Sequence, residues 1–217
     1  MTPPRSAGPP RWLARPLDGA GLASLSGEGV REVALPLHGA RSEVHDWVAG
    51  AHASFRDAID ALAAARALGL TVTVWTRLTR SNARVLDAMP ALLRARAVSR
   101  WLVVVASARD AASPPFTRVV PRLGLALPSA LAALAEARRL GLDARILGAP
   151  RCALGPFADL AAPSPPRAYA PVCDACPSRD VCPGLDAEYL ARFGAGELRP
   201  APRVSPPPFP VFDEAPR

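Results

Sequence analysis

The feature that most constrains the fold is the alternation of strand-like and helix-like segments between residues 30 and 147. Apolar and β-branched runs predict strands, and the amphipathic segments between them predict helices. Trp101–Val105 is almost continuously apolar, as expected of a parallel strand buried on both faces. The predicted fold class is therefore α/β, with three or four mostly parallel strands joined by right-handed crossovers. The predicted strands are Val30–Leu37, Thr71–Thr76, Trp101–Val105 and Ala144–Leu147, and the main predicted helices are Ser54–Leu68 and Ser129–Leu140.

Single residues predict where these helices begin and end. Ser54 is expected to cap the first turn of its helix, and Gly69 is expected to end that helix in a left-handed conformation. Asn82 is expected to cap the helix that follows the second strand. Pro90 interrupts the apolar pattern of this helix, so we expect a kink or a split there.

Composition argues against several classes of function. The chain of 217 residues has a formal net charge of +7, but all 26 basic residues are arginines scattered along it. Nucleic-acid binding is therefore not predicted, because it requires clustered basic patches. The N-terminus lacks the apolar core of a signal peptide. The longest apolar stretch, Leu123–Ala135, is broken by Pro128 and is too short to cross a bilayer, so we expect a cytoplasmic protein without a membrane partner.

Four cysteines carry the strongest functional signal. Cys173, Cys176 and Cys182 form a C-x2-C-x5-C run, and Cys152 lies upstream of it. In a reducing compartment, clustered cysteines are more often metal ligands than disulfides. Four thiolates can hold an iron–sulfur cluster or a tetrahedral zinc ion. The spacing alone leaves both open, together with four thiols that bind no metal.

Short motifs occur in a definite order ahead of these cysteines. Leu37-His38-Gly39 ends the first predicted strand, His45-Asp46 follows, and Ser54-Phe55 opens the next helix. Asn82 then follows the second strand, and the cysteines come last. Each motif is short, but their order over residues 30–200 resembles the C-terminal half of radical S-adenosylmethionine (radical SAM) enzymes.

The resemblance implies a fold and a set of site residues. The fold would be part of a (β/α) barrel, followed by a cysteine-rich segment of the SPASM or twitch type. In those enzymes this segment holds an auxiliary [4Fe–4S] cluster, so the resemblance assigns all four cysteines as cluster ligands. It also implies that His38 and Asn82 line a cofactor pocket at the carboxyl mouth of the barrel. The competing interpretation is that both side chains only hold loops in place.

The chain departs from that family at its central motif. It has no C-x3-C-x2-C loop, whose cluster cleaves S-adenosylmethionine, and too little sequence precedes Val30 for the first strand–helix units. A cluster with four protein ligands has no open iron, so we predict an accessory iron–sulfur protein that relays electrons or positions a substrate. Binding of S-adenosylmethionine itself stays an open question. The alternatives are one subunit of a split radical SAM enzyme, a zinc-stapled interaction module and an eroded gene remnant.

The predicted organisation has four parts. Residues 1–24 and 200–217 are rich in proline and are expected to be disordered. Residues 25–150 would form the partial barrel, and residues 151–199 would hold the auxiliary cluster. Because the open edges of a half barrel expose unpaired backbone groups, we expect a homo-oligomer or a partner chain that supplies the missing half.

Overall fold

A five-stranded parallel sheet forms the centre of the protein in the computed structural model, which describes residues 11–107 and 116–204. Helices accompany the sheet, and the predicted α/β class is confirmed. The strands are β1 (Arg11–Trp12), β2 (Glu32–Pro36), β3 (Thr71–Leu78), β4 (Arg100–Val105) and β5 (Asp143–Leu147). The α-helices are α1 (Gly19–Gly27), α2 (Ser42–Ala49), α3 (Ser54–Ala67), α4 (Met89–Ala95), α5 (Phe116–Val119), α6 (Leu123–Arg139), α7 (Arg151–Leu154) and α8 (Ala187–Phe193). Short 3-10 helices span Ala83–Ala88, Gly155–Leu160, Pro171–Cys173 and Arg179–Val181.

The strands follow one another across the sheet in the order of the chain. Each strand from β1 to β4 pairs in parallel with the next one along the sequence. Right-handed crossovers between such neighbours place the connecting helices on one face of the sheet. The same strand order builds the wall of a (β/α) barrel, but β1 and β5 stand at the two edges here. The described part of the chain is therefore an open sheet.

Alternate residues of the strands face two different apolar layers. On the helix side, Val33 and Leu35 of β2 belong to the main core, together with Leu62 of α3 and Leu134 of α6. Both faces of the sheet are buried, which explains why the strand sequences are apolar almost throughout. The opposite face carries a smaller cluster formed by Ala34, Trp75, Leu102, Leu147 and Ala162.

The segment that follows β5 covers the outer edge of this strand. Ala161 forms a parallel bridge with Ile146, and the Ala162 amide donates to the Ile146 carbonyl at 2.8 Å. The Arg145 side chain also donates to the Asp159 carbonyl at 2.8 Å. These bonds occupy backbone groups that a further strand would need. Among the described strands, this leaves β1, only two residues long, at the other edge.

The expectation of a disordered tail over residues 1–24 is wrong for residues 11–24. These residues contain β1 and most of α1. Helix α1 begins at a cap formed by the Asp18 carboxylate, which accepts from the Gly21 amide at 2.8 Å. Its Leu22 side chain is fully buried in the main core. Residues 1–10 lie outside the described part of the chain.

The expected tail over residues 200–217 is also wrong where it is described. Residues 201–204 have no regular secondary structure, yet side chains of the fold bind their carbonyls. Ser178 donates to Pro202 at 2.7 Å, and Arg151 donates to Val204 at 2.7 Å. Residues 205–217 lie outside the described part of the chain.

Several predicted helix ends need correction. Ser54 does not cap α3, because the capping position belongs to Ala53 and the Ser54 hydroxyl bonds to a histidine ring instead. Helix α6 begins at Leu123, before the expected start at Ser129, and contains Pro128 in its interior. The expected split at Pro90 is confirmed, since a 3-10 helix ends at Ala88 and Pro90 lies in the first turn of α4.

One stretch, Phe116–Arg139, is long and apolar enough to cross a membrane by length and composition alone, with a mean hydropathy of 1.3. Half of its most apolar window is buried inside the fold. The stretch is also divided into α5 and α6, which are separated by residues 120–122. Helix α6 contributes Leu127, Leu131 and Leu134 to the main core, so these side chains are engaged in packing against the sheet.

Leu22→Ala tests whether α1 belongs to the folded domain. Removing this fully buried side chain should lower the free energy of unfolding by about 2–5 kcal/mol, as buried leucines do. Urea titration followed by circular dichroism measures the change. Leu125→Ala is the matched control, because Leu125 is 71% exposed. Equal effects of the two substitutions would contradict the packing of α1.

Candidate functional site

All four cysteines line a single small pocket beyond the carboxyl end of β5. Cys152 lies in α7, Cys173 ends a 3-10 helix, and Cys176 and Cys182 follow within the next turns. The first turn is closed by the Cys176 amide, which donates to the Cys173 carbonyl at 3.2 Å. None of the four forms a disulfide, and each is partly buried. The fold therefore places the distant cysteine and the C-x2-C-x5-C run around one pocket.

Backbone amides point at the sulfur atoms of this pocket. The Arg151 amide donates to the Cys182 Sγ at 3.4 Å, and the Ala201 amide donates to the Cys176 Sγ at 3.5 Å. Burial raises the pKa of the Cys152 thiol, a hydrogen bond with the Arg199 backbone opposes this, and the neighbouring cysteine charges raise it further. Arg199, at the end of the predicted cluster segment, and Ala201, in the expected disordered tail, thus help to form the site.

Two arginines lie near the cysteines, Arg151 buried and Arg167 partly buried. The Arg151 guanidinium donates to the carbonyls of Val181, Ala158 and Val204 at 2.7, 3.2 and 2.7 Å. The Arg167 guanidinium donates to the Gly148 carbonyl. Burial lowers the pKa of both guanidinium groups. The charges of Cys182 and then Asp180 oppose this at Arg151, and those of Asp186 and then Cys182 oppose it at Arg167.

Tyr169 and Arg179 cover another side of the pocket. The Tyr169 hydroxyl donates to the Cys182 carbonyl at 2.7 Å, and the Arg179 guanidinium lies 4.5 Å from the centre of the Tyr169 ring. Burial and the charge of Cys182 raise the pKa of Tyr169, so its hydroxyl stays a donor. Gly184 is required nearby, because its φ is +68° and an added Cβ would lie 2.3 Å from the Ala168 carbonyl oxygen.

The predicted cofactor residues His38 and Asn82 lie at the carboxyl ends of β2 and β3. The Asn82 amide nitrogen donates to the carbonyls of His38 and Arg77 at 2.9 and 2.7 Å. Its carbonyl oxygen accepts from the Thr79 amide and hydroxyl at 2.8 and 3.2 Å. Asn82 is fully buried, so it joins the two strand ends. It precedes a 3-10 helix but makes no capping bond with its side chain, which corrects the predicted cap.

His38 belongs to a buried histidine pair. Its ring stacks on the His45 ring at 5.3 Å between centroids, and its amide donates to His45 Nδ1 at 2.9 Å. Since His45 Nδ1 accepts, its proton lies on Nε2, which donates to the Ser54 hydroxyl at 3.1 Å. Burial lowers the pKa of His45 to about 4. Burial also lowers the pKa of His38, and the charges of His45 and Arg77 add to this, so both rings are neutral at pH 7.

An open cleft of about 900 Å³ lies beside this pair at the same edge of the sheet. Its walls include Arg77, Arg118 and the Trp47 side chain, which is 76% exposed. The Trp47 indole donates to the Ser81 hydroxyl at 3.0 Å, which fixes its orientation. Ligands of parallel α/β sheets bind at the carboxyl ends of the strands, so this cleft is the place where a substrate would be expected.

Sequence patterns predict the positions of some of these groups and not of others. The cysteine spacing predicts the pocket, and the Leu-His-Gly motif predicts the position of His38 at a strand end. Arg167 and Tyr169 have no recognisable motif, and Arg151 is marked only by its place next to Cys152. The pairing of His45 with His38 and Ser54 depends on the packing of α2 against α3. Among the described residues, no group of three His, Cys, Asp or Glu side chains is arranged to hold a metal ion.

Comparison with known proteins identified no family for this chain. A scan against protein-family models and a search of curated proteins both returned no match for this chain. The resemblance to radical SAM enzymes therefore stays a prediction from the order of the sequence motifs.

Acidification should destabilise the fold through His45. Its pKa falls from 6.5 to about 4 on folding, so between these values the unfolded chain binds a proton that the folded protein does not. The contribution of His45 to the free energy of unfolding is about 3 kcal/mol. It is fully present above about pH 6.5 and is lost as the pH falls toward 4. Urea titrations across this range measure it.

His45→Asn is the informative variant for this titration. The Asn carboxamide can still accept from the His38 amide but does not titrate. Its stability should therefore vary less with pH than that of the unmodified protein. An equally steep profile would show that His45 is not the group responsible.

Proposed function

We propose that this chain is a radical-SAM-like iron–sulfur protein that binds an auxiliary-type [4Fe–4S] cluster through its four cysteines. It would act as an accessory subunit that relays electrons or positions a substrate for a radical enzyme. The observation that carries the proposal is the convergence of Cys152, Cys173, Cys176 and Cys182 on one pocket, with all four thiols free.

We favour a cluster over zinc because of the order of motifs that resembles radical SAM enzymes. Four Zn–S bonds of about 2.3 Å in a tetrahedron require sulfur atoms only about 3.8 Å apart. A cluster instead distributes its four thiolate ligands over several irons.

The residues around the pocket suit this group. Hydrogen bonds to the sulfurs tune the reduction potential of iron–sulfur clusters, and the Arg151 and Ala201 amides are placed to supply them. Tyr169 and Leu185 close the pocket and limit the access of water. A bound cluster would accept and release single electrons. The protein side chains would hold it, shield it and set its charge.

Position within the fold supports a role in relay or positioning. The cysteine pocket follows β5, and the His38–Asn82 network follows β2 and β3. All these strands end at the same edge of the sheet, and β3 and β5 are two strand spacings apart, roughly 10 Å. A substrate in the cleft at that edge would lie on the cluster side of the fold. The role of His38 and Asn82 toward S-adenosylmethionine remains a prediction, because their mapped bonds are internal.

A second candidate function is one subunit of a split radical SAM enzyme. The open cleft beside His38 favours it, since it offers space for a substrate at the carboxyl edge of the sheet. This chain has no C-x3-C-x2-C loop, so a partner would have to contribute the cluster that cleaves S-adenosylmethionine.

Association through β1 is part of the proposal. The β5 edge is covered by Ala161 and Ala162, whereas β1 stands at the opposite edge of the described sheet and pairs with β2 over only two residues. A second copy or a partner chain would therefore extend the sheet at Arg11–Trp12. We place this assembly in the cytoplasm, whose reducing conditions keep the four thiols available for a cluster.

Anaerobic purification followed by iron, sulfide and zinc analysis tests the cluster directly. We expect about four irons and four sulfides per chain and a broad absorption band near roughly 400 nm that dithionite bleaches. Cys176→Ser should reduce the iron content, whereas the control Ser24→Ala, on the surface of α1, should not. One zinc and no iron per chain would contradict the proposal and would indicate a structural zinc site instead.

Size-exclusion chromatography with light scattering tests the association. The anaerobically purified protein should elute above the 22.7 kDa of one chain, because an unpaired parallel edge is unfavourable in isolation. Two results together would argue against association. The protein would elute as a stable monomer, and it would form no complex when co-expressed with a short protein that contains a C-x3-C-x2-C motif.

A further inference from the structure

Two arginines near the cysteine pocket, Arg151 and Arg167, form no salt bridge with a carboxylate in the described part of the chain. Arg151 is only 2% exposed, and its guanidinium binds three backbone carbonyls from three different segments. Its own amide contacts the Cys182 sulfur. This cation is therefore held rigidly next to a thiol, by bonds that leave its charge uncompensated.

Arg167 is the second cation near this pocket, is partly buried, and donates its backbone amide to the carbonyl of Pro183, next to Cys182, at 2.8 Å. Its guanidinium donates to the Gly148 carbonyl, while its Nε is enclosed and has no hydrogen-bond partner among the described residues. Gly148 has a φ of +84°, and a Cβ there would lie 2.7 Å from the Arg167 Nη2. The backbone is thus shaped to admit this side chain. Burying a guanidinium with an unpaired donor is costly unless a negative charge lies close by.

The nearby carboxylates are already engaged elsewhere. Asp186 caps α8 by accepting from the amides of Glu188 and Tyr189 at 3.1 and 3.2 Å. Asp180 forms a salt bridge with Arg203 at 2.7 Å. In the described part of the chain, neither Arg151 nor Arg167 forms a salt bridge with a carboxylate. At longer range, the charges of Cys182 and then Asp180 act on Arg151, and those of Asp186 and then Cys182 act on Arg167.

A third cation lies at the rim of the pocket. Arg179 stacks on Tyr169 and is also paired with Asp174 at 2.6 Å. Its side chain is 41% exposed, so water screens its charge more than that of Arg151 and Arg167. We expect its influence to have the same sign and a smaller size.

We propose that Arg151 and Arg167, with a smaller contribution from Arg179, stabilise the reduced state of the cluster and so make this site an electron acceptor. The inference rests on the proposed function. A [4Fe–4S] cluster with four thiolate ligands carries a net charge of about −2, and one electron from a one-electron donor protein brings it to about −3. No bond breaks and no proton moves, and fixed positive charges favour the more negative state.

Arg167→Met and Arg167→Lys form the test, with the reduced cluster followed by electron paramagnetic resonance during an anaerobic redox titration. Arg167→Met should make the reduced cluster at least tenfold less favoured, a potential lower by about 59 mV for a one-electron couple. Arg167→Lys retains the charge and should remain near the unmodified protein. Arg139→Met is the matched control, because Arg139 is an exposed cation of α6 paired with Glu136.

The outcomes separate the inference from the proposed function. Unmodified protein that contains no iron would refute both. If the unmodified protein and Arg167→Met both contain a full cluster with the same potential, the inference is wrong while the function stands. An equal drop in Arg167→Lys and Arg167→Met would show that shape, and not charge, is responsible, which also overturns it. If Arg167→Met does not fold, Arg179→Gln decides, since an unchanged potential there would contradict the role of charge.

Discussion

The parallel strands of this protein all end at one edge of the sheet, and the backbone groups that are freed there must find partners. Two buried side chains meet most of this demand. Asn82 binds the carbonyls that follow β2 and β3 and the amide of Thr79. Arg151 binds three carbonyls beyond β5. Each candidate site lies beside one of these two side chains. Both sites therefore depend on polar groups whose hydrogen bonds are already made within the fold.

The two sites differ in the charge that the fold keeps inside. Around His38 and His45 the fold holds neutral rings, because burial lowers the pKa of both and their ring nitrogens are used as acceptors. Around the cysteines it holds permanent cations, since an arginine does not lose its proton in a protein. A neutral polar network suits a rigid wall beside a ligand cleft. A cationic shell suits a group that carries negative charge.

The segment that follows β5 and carries the cysteines also covers one edge of the sheet. Its approach along Ala161–Ala162 covers the edge of β5, and its end at residues 201–204 is held by Ser178 and Arg151. The segment therefore combines two tasks, since it closes one side of an open sheet and carries the thiols. Among the described strands, β1, in which only two residues pair with β2, stands at the opposite edge.

The sequence by itself determined the α/β class, the strands β2 to β5 within about two residues and the residue types of the cysteine pocket. Apolar runs and short spacings are local patterns, and local patterns identify elements. Only the tertiary structure decided the rest. Leu22 makes α1 part of the core although a proline- and glycine-rich sequence surrounds it, and Ser54 binds His45 instead of capping α3. Arg151, Arg167 and residues 199–201 join the cysteines from separate segments. Such contacts arise from long-range packing, which no short window of sequence encodes.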